Sequence, residues 1–185
     1  LRATFRQGVP QNLDWCRHQL SQLALMVKEN TEAFTAAVAK DLGKPKVEMD
    51  FAEIVLDRAH QAFGAVNPVI LLQSPSLQAY STTSEYQKGW SPIIYKGVKG
   101  VVLIIAPWNY PIILSLQPLV GAIAAGCCAV LKPSEISLSY STLLADLAPK
   151  YLDPSAFQIV LGGVPETTKL LELQCKSLLA ELHWH

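Results

Sequence analysis

The first part of the chain repeats apolar residues with the period of an α-helix. They recur at three-, four- and seven-residue intervals: Leu13, Leu20, Leu23, Val27, Phe34 and Val38. We expect Thr31 to cap a second short helix and Gly43 to end it. A third amphipathic helix is predicted from Phe51 to Phe63, followed by a Ser-, Gln- and Thr-rich loop over residues 69–90 and a short strand at residues 93–95.

From Val101 the pattern changes to short apolar runs without alternation, which is typical of strands covered on both faces in a parallel sheet. We predict three strands: Val101–Ile105, Cys128–Leu131 and Phe157–Leu161. The stretches between them are long enough for one helix in each crossover. These helices are predicted from Pro111 to Ala125 with Gly126 as the stop, from Ser137 to a break at Pro149, and from Pro165 onward.

The succession of elements predicts an α/β fold. We expect a partial Rossmann-like parallel sheet of the order βαβαβα, preceded by an α-helical arm. The predicted division is a helical arm with its loop at residues 1–90 and a truncated NAD(P)-binding Rossmann-like domain at residues 91–185. A sheet of three strands would leave an unpaired edge, which favours aggregation.

Composition narrows the possible partners. Of the 185 residues 50% are hydrophobic and the formal net charge is zero, so neither nucleic acid nor an anionic membrane surface is expected as a partner. The four cysteines and four histidines match no metal-ligand or disulfide spacing. No apolar run is long enough to cross a bilayer, and the start of the chain has no secretory signal, so we expect a soluble cytoplasmic protein.

Two polar groups follow predicted strands at the edge where open α/β sheets bind ligands. Asn109 can donate its side-chain amide to a developing oxyanion, or it can form an Asx-turn that caps the next helix, and the residues alone do not decide between the two. Lys132 and Glu135 can hydrogen-bond the hydroxyls of a sugar, or they can form an ordinary surface ion pair.

Phosphate-binding and nucleophilic motifs are missing from the sequence. No G-x-G-x-x-G run follows a predicted strand, and Gly162-Gly163 alone favours a turn over a phosphate cradle. Cys127 and Cys128 lie in an apolar run without a nearby histidine, which favours a structural role. The residues therefore supply no convincing nucleophile.

Three runs of sequence resemble the aldehyde dehydrogenase superfamily, and within it the class 3 or fatty aldehyde branch. They are G-V-V-L-I-I-A-P-W-N-Y-P, G-A-I-A-A-G-C-C-A-V-L-K-P-S-E and G-G-V-P-E-T, and L-R-A-T-F-R and K-D-L-G-K-P are also similar to that branch. The resemblance covers about residues 1–173. It implies an oxidoreductase that converts aldehydes, aliphatic or fatty ones in this branch, to carboxylic acids with NAD or NADP.

The resemblance also implies roles for particular residues. Asn109 would hold the oxyanion, Lys132 and Glu135 would hold the adenosine ribose, and Gly162 and Gly163 would lie near the adenine. The cofactor crevice would be lined by Ile105, Ala106, Pro107 and Trp108. The nucleophilic cysteine and general-base glutamate of the family mechanism are absent from these residues, so we expect the chain to be inactive by itself.

The resemblance ends near Gln174. The codons for Cys175-Lys176-Ser177 can contain the intron donor sequence G-T-A-A-G-T, so one hypothesis is that residues 174–185 are translated from a retained intron. The alternative to an enzyme segment is a non-catalytic cofactor-binding or interaction fragment. A homodimer is a possible form of the full-length protein, and membrane association is left open.

Overall fold

A computed structural model describes residues 1–49, 98–173 and 177–180. The predicted third helix, the loop at residues 69–90 and the strand at residues 93–95 lie outside these residues. The elements in chain order are α1 (Arg2–Arg6), a 3₁₀ turn (Val9–Gln11), α2 (Leu13–Glu29), α3 (Thr31–Leu42), α4 (Lys46–Glu48), β1 (Val101–Ile105), α5 (Pro111–Ala124), β2 (Cys128–Lys132), α6 (Leu138–Tyr151), β3 (Phe157–Ile159), α7 (Val164–Glu172) and β4 (Ser177–Ala180).

The arm forms the two helices that the apolar periodicity predicts. Asn12 caps α2 by accepting a hydrogen bond from the Trp15 amide at 3.0 Å. The junction between α2 and α3 is Asn30, so the prediction that Thr31 is the cap is wrong. Thr31 is already helical, and its hydroxyl donates to the Val27 carbonyl at 2.8 Å. Gly43 ends α3 in the left-handed conformation, with φ +66°, as predicted.

The sheet is parallel and has the strand order β3-β2-β1-β4. The chain runs outward from β1 through β2 to β3 and then returns to the other side of β1. This reversal of direction is the topological switch point of a doubly wound sheet, and ligands bind just beyond the carboxyl ends of the strands there. The predicted Rossmann-like parallel fold is confirmed, and it places the switch point between β1 and β4.

The three predicted strands are present, and the structure adds a fourth, β4, which the sequence did not predict. Residues 177–180 pair with β1, and Leu103 stands opposite Leu178. Both edges of β1 carry backbone N–H and C=O groups, and a second parallel neighbour satisfies those that β2 does not reach. A short apolar run after α7 is sufficient for this pairing.

The sheet has apolar packing on both faces. One face presents Val102 and Ile104 to α5, α6 and the arm, and these elements share one continuous core. The opposite face presents Leu103 and Val130 to Leu170 of α7. β1 is therefore buried on both sides, as its unbroken apolar run predicts.

Helix α6 continues past Pro149 to Tyr151, so the prediction that this proline ends the helix is wrong. Proline lacks one backbone donor, but its fixed φ lies in the helical range, so α6 continues for two residues beyond Pro149. The amide of Leu152 still donates to the Ala148 carbonyl at 2.8 Å and closes the last turn.

Substituting alanine at two glycines of the α5 region should change the free energy of unfolding in opposite directions. Gly126 has φ +70°, and an added Cβ would lie 2.9 Å from the Pro10 carbonyl oxygen, whereas Gly121 lies inside α5 with nothing within 4 Å of an added Cβ. We expect Gly126→Ala to lower the free energy of unfolding by at least about 1–2 kcal/mol. Gly121→Ala, the matched control, should raise it by about 0.5–1 kcal/mol. Urea unfolding measures both, and equal changes in the two variants would contradict this packing.

Candidate functional site

A cleft of about 470 Å³ opens at the carboxyl ends of β1 and β2. This is the edge of the sheet at which the sequence predicts ligand binding. Its lining is formed by Ile105, Ala106, Pro107, Trp108, Lys132, Ser134, Glu135, Ile136, Val164, Thr167, Thr168 and Leu171. Six of the nine residues singled out from the sequence therefore lie together in this one cleft.

Lys132 ends β2 and is buried, with only 4% of its surface exposed. A buried ammonium is costly unless it is paired, and Nζ of Lys132 donates a hydrogen bond to Oε2 of Glu135. The side chain of Glu135 is 48% exposed, so the carboxylate stays accessible from the cleft. The hydrogen bond from Lys132, helped by one from the backbone, holds the pKa of Glu135 below its usual value.

The loop after β1 is fixed by two hydrogen bonds. The Ala106 amide donates to the Lys132 carbonyl at 3.0 Å, which ties the ends of β1 and β2 together. The Ser137 hydroxyl donates to the Trp108 carbonyl at 3.2 Å. Trp108 itself is 38% exposed and forms part of the cleft wall.

Asn109 follows Trp108 but is not among the residues that line the cleft. Its side-chain Oδ1 is buried. The N-cap of α5 is Tyr110, so Asn109 stands one residue before the capping position. Asn109 is therefore not the N-cap residue of α5, and it lies in the loop that joins β1 to α5.

Gly162 and Gly163 precede α7 and also lie outside the cleft lining. Gly162 has φ +148°, and an added Cβ would lie 2.4 Å from Cγ of Glu166, so this position requires glycine. The Gly163 amide donates to Oε2 of Glu166 at 2.9 Å. The pair forms the turn that starts α7, and α7 then supplies one wall of the cleft.

Several lining residues were not identified from the sequence. Ser134 and Ile136 flank Glu135, and the rest lie on α7: Val164, Thr167, Thr168 and Leu171. The α7 residues fall at i, i+3, i+4 and i+7, which places them on one helix face. This spacing was visible in the sequence, but only the position of α7 beside β2 shows that the face borders the cleft.

The three cysteines of the described segments, Cys16, Cys127 and Cys128, are free and buried. Burial raises the pKa of Cys16 and of Cys128 to about 11, so neither forms much thiolate at neutral pH. Within residues 1–49, 98–173 and 177–180, no cluster of three or more His, Cys, Asp or Glu side chains could hold a metal ion. In the same ranges no helix is long and apolar enough to cross a membrane.

Comparison with known proteins decides the family. The model of the Aldehyde dehydrogenase family matches residues 16–174. The chain belongs to this family. It is 44% identical to mouse aldehyde dehydrogenase family 3 member B2 over 172 residues, and 38% identical to mouse family 3 member A2 over 180 residues. These alignments cover 93% and 97% of the chain but only 35% and 36% of the two relatives, so the chain spans about a third of their length.

Solved aldehyde dehydrogenases share the fold. The substrate-bound state of Staphylococcus aureus AldH is 29% identical, with a TM-score of 0.85 over 96% of this chain and 38% of that one. A Pseudomonas syringae AldC mutant, complexed with NAD⁺ and octanal, is 25% identical, with a TM-score of 0.74 over 97% of this chain and 35% of that one. The Streptococcus pyogenes succinic semialdehyde dehydrogenase, solved with NADP⁺, shares the fold at 18% identity. The resemblance to the class 3 branch is thus confirmed.

The pairing of Lys132 with Glu135 gives a testable pKa. Lys132→Met keeps an apolar stem in the buried position and removes the donor, so the pKa of Glu135 should rise toward its ordinary value. Because the pKa is lowered in the folded chain, the stabilisation from this pair is present above the unfolded value and is lost as the pH falls through the folded one. Titration of the ¹³C-labelled Glu135 carboxyl by NMR measures the shift. Lys150→Met, which removes an exposed lysine from α6, is the control; an identical Glu135 titration in both variants would contradict the pairing.

Proposed function

We propose that these residues form the cofactor-binding and oxyanion-binding part of an NAD(P)-dependent aldehyde dehydrogenase that oxidises aliphatic or fatty aldehydes to carboxylic acids. The observation that carries the proposal is the cleft at the ends of β1 and β2, where Trp108, Lys132 and Glu135 come together. The same edge of a doubly wound sheet is the general place for a dinucleotide. Family membership supplies the reaction class, and the cleft supplies a place for its cofactor.

The chemistry of the cleft fits a dinucleotide. Lys132 offers ammonium donors and Glu135 an accessible carboxylate, a combination that can bind the two hydroxyls of a ribose. Exposed apolar side chains form the wall beside them: Ile136 is 59% exposed, Val164 74% and Leu171 53%. Such a surface suits the flat face of a purine. When bound, the cofactor accepts a hydride from the substrate, and the residues described here bind and orient it.

The four residues Ile105–Trp108 and the two glycines complete the proposed site. The loop of residues 105–108 borders the cleft and offers backbone groups to the cofactor. Gly162 and Gly163, at the start of α7, are proposed to lie near the adenine because α7 forms the wall that would contact it.

Asn109 is proposed as the oxyanion donor. An aldehyde oxygen gains negative charge when a nucleophile attacks its carbon, and a fixed amide N–H stabilises that charge. The structure supports this role through the position of Asn109 at the carboxyl end of β1, next to the loop that borders the cleft. We assign neither the nucleophile nor the general base to any of these 185 residues.

Three further features of the protein are proposals. Free, buried cysteines fit a reducing compartment such as the cytoplasm. The second proposal is that the complete protein forms a homodimer, which light scattering would test. The division into an arm at residues 1–90 and a cofactor-binding part at residues 91–185 is also proposed, although the two share an apolar core in the described residues.

Cofactor binding can be measured on a polypeptide limited to these 185 residues. We expect calorimetric titration to detect NAD⁺ or NADP⁺, and Lys132→Met to weaken the affinity at least about tenfold, because it removes a charged hydrogen-bond donor. Lys150→Met should bind like the unmodified chain. With the cofactor and an aliphatic aldehyde present we expect no turnover. Failure to bind either cofactor, or equal affinity in both lysine variants, would contradict the proposed site. Turnover would contradict the expectation that these residues contain no catalytic nucleophile.

A further inference from the structure

The sequence K-D-L-G-K-P at residues 40–45 has no role in the cleft itself, but it contacts the elements that build it. Asp41 lies in the last turn of α3, and its carboxylate accepts hydrogen bonds from two backbone amides of α6. Oδ1 accepts from Ser139 at 3.1 Å, and Oδ2 accepts from Tyr140 at 2.9 Å. These are the second and third residues of α6, whose amides a capping side chain normally satisfies.

The location of Asp41 within its own helix is unfavourable. An acidic side chain near a helix carboxyl terminus faces the negative end of that helix dipole. The same carboxylate at the amino terminus of α6 faces the positive end. The contact with α6, 98 positions further along the sequence, therefore accounts for an aspartate at this position of α3.

Ser137 is the N-cap residue of α6, yet its side chain makes no capping hydrogen bond. The Ser137 hydroxyl donates instead to the Trp108 carbonyl at 3.2 Å. That carbonyl belongs to the peptide group whose nitrogen is the backbone amide of Asn109. Because Asp41 caps the helix in place of Ser137, the serine hydroxyl is directed at the loop that carries Asn109.

We propose that Asp41 is a positioning residue for Asn109, acting through the cap of α6 and the hydrogen bond from Ser137 to Trp108. The proposal rests on the oxyanion role of Asn109 proposed above. Without Asp41, the Ser137 hydroxyl turns to cap its own helix, and the Trp108 carbonyl loses its donor. The arm thereby sets the orientation of a residue in the reaction site, although Asp41 does not line the cleft.

A second contact from the same segment supports the assignment. Lys44 follows α3, and its Nζ lies 3.7 Å from the centroid of the Tyr110 ring, a cation–π geometry. Tyr110 is the residue after Asn109. The segment that contains Asp41 and Lys44 thus contacts Tyr110 directly, and it is linked to Trp108 indirectly, through the amino terminus of α6 and Ser137.

NMR of the isotopically labelled 185-residue chain tests the proposal. A hydrogen bond to a carbonyl polarises its peptide group, so the amide nitrogen of Asn109 reports the bond to Trp108. We expect Asp41→Ala to shift the amide signals of Ser139, Tyr140 and Asn109. Ser137→Ala should shift Asn109 by a similar amount and in the same direction while the Ser139 and Tyr140 amides keep their hydrogen bonds to Asp41. In the double variant the Asn109 shift should equal that of either single variant, because both substitutions remove one hydrogen bond.

Two further variants complete the design. Asp41→Asn keeps one acceptor oxygen, so the Asn109 signal should shift in the same direction as in Asp41→Ala but by a smaller amount. Asp41→Asn also replaces Asp41→Ala if that variant unfolds. Glu32→Ala removes an exposed carboxylate from the same helix and should leave Asn109 unchanged. An Asn109 signal that stays in place in folded Asp41→Ala or Asp41→Asn, or additive shifts in the double variant, would overturn the proposal. Titration of NAD⁺ into the same samples separates the two claims, since failure to bind cofactor would contradict the proposed function and leave the Asn109 comparison intact.

Discussion

Parallel pairing of β1 with β2 places Ile105 opposite Lys132, so the two loops that follow these strands emerge side by side. The hydrogen bond from the Ala106 amide to the Lys132 carbonyl extends this pairing one residue beyond β1. All other features of the cleft depend on it. The Trp108 loop contributes one side, the Lys132–Glu135 segment contributes another, and α7 closes the cleft because the chain crosses back at β3 toward β4.

The burial of Lys132 gives the cleft its polar character. An ammonium removed from water requires a partner, and the Glu135 carboxylate, which remains half exposed, is the partner that the structure provides. The pair is therefore oriented before any ligand arrives. A pre-organised donor and acceptor lose little conformational freedom on binding, which is the main cost of recognising a flexible polar ligand.

Local pattern in the sequence was enough to predict β1, β2, α2, α3 and the class of fold, because an apolar run or a helical period is a property of neighbouring residues. The family motifs in the sequence also located six residues that line the cleft. Features that depend on distant residues were not predictable in this way. The pairing of residues 177–180 with β1 and the cap that Asp41 supplies to α6 join segments that lie far apart in the sequence. The continuation of α6 through Pro149 depends on how much a helix end tolerates the loss of one donor.

The central claim is that the cleft holds the adenosine part of a dinucleotide between the Lys132–Glu135 pair and the apolar wall formed by Ile136 and α7. Intermolecular NOEs between NAD⁺ and the labelled 185-residue chain test it most directly. We expect contacts from the adenosine ribose protons to Lys132 and Glu135, and from the adenine protons to Ile136 and Val164. Contacts confined to another surface, with Lys132 and Glu135 unaffected by NAD⁺, would contradict this account of the site.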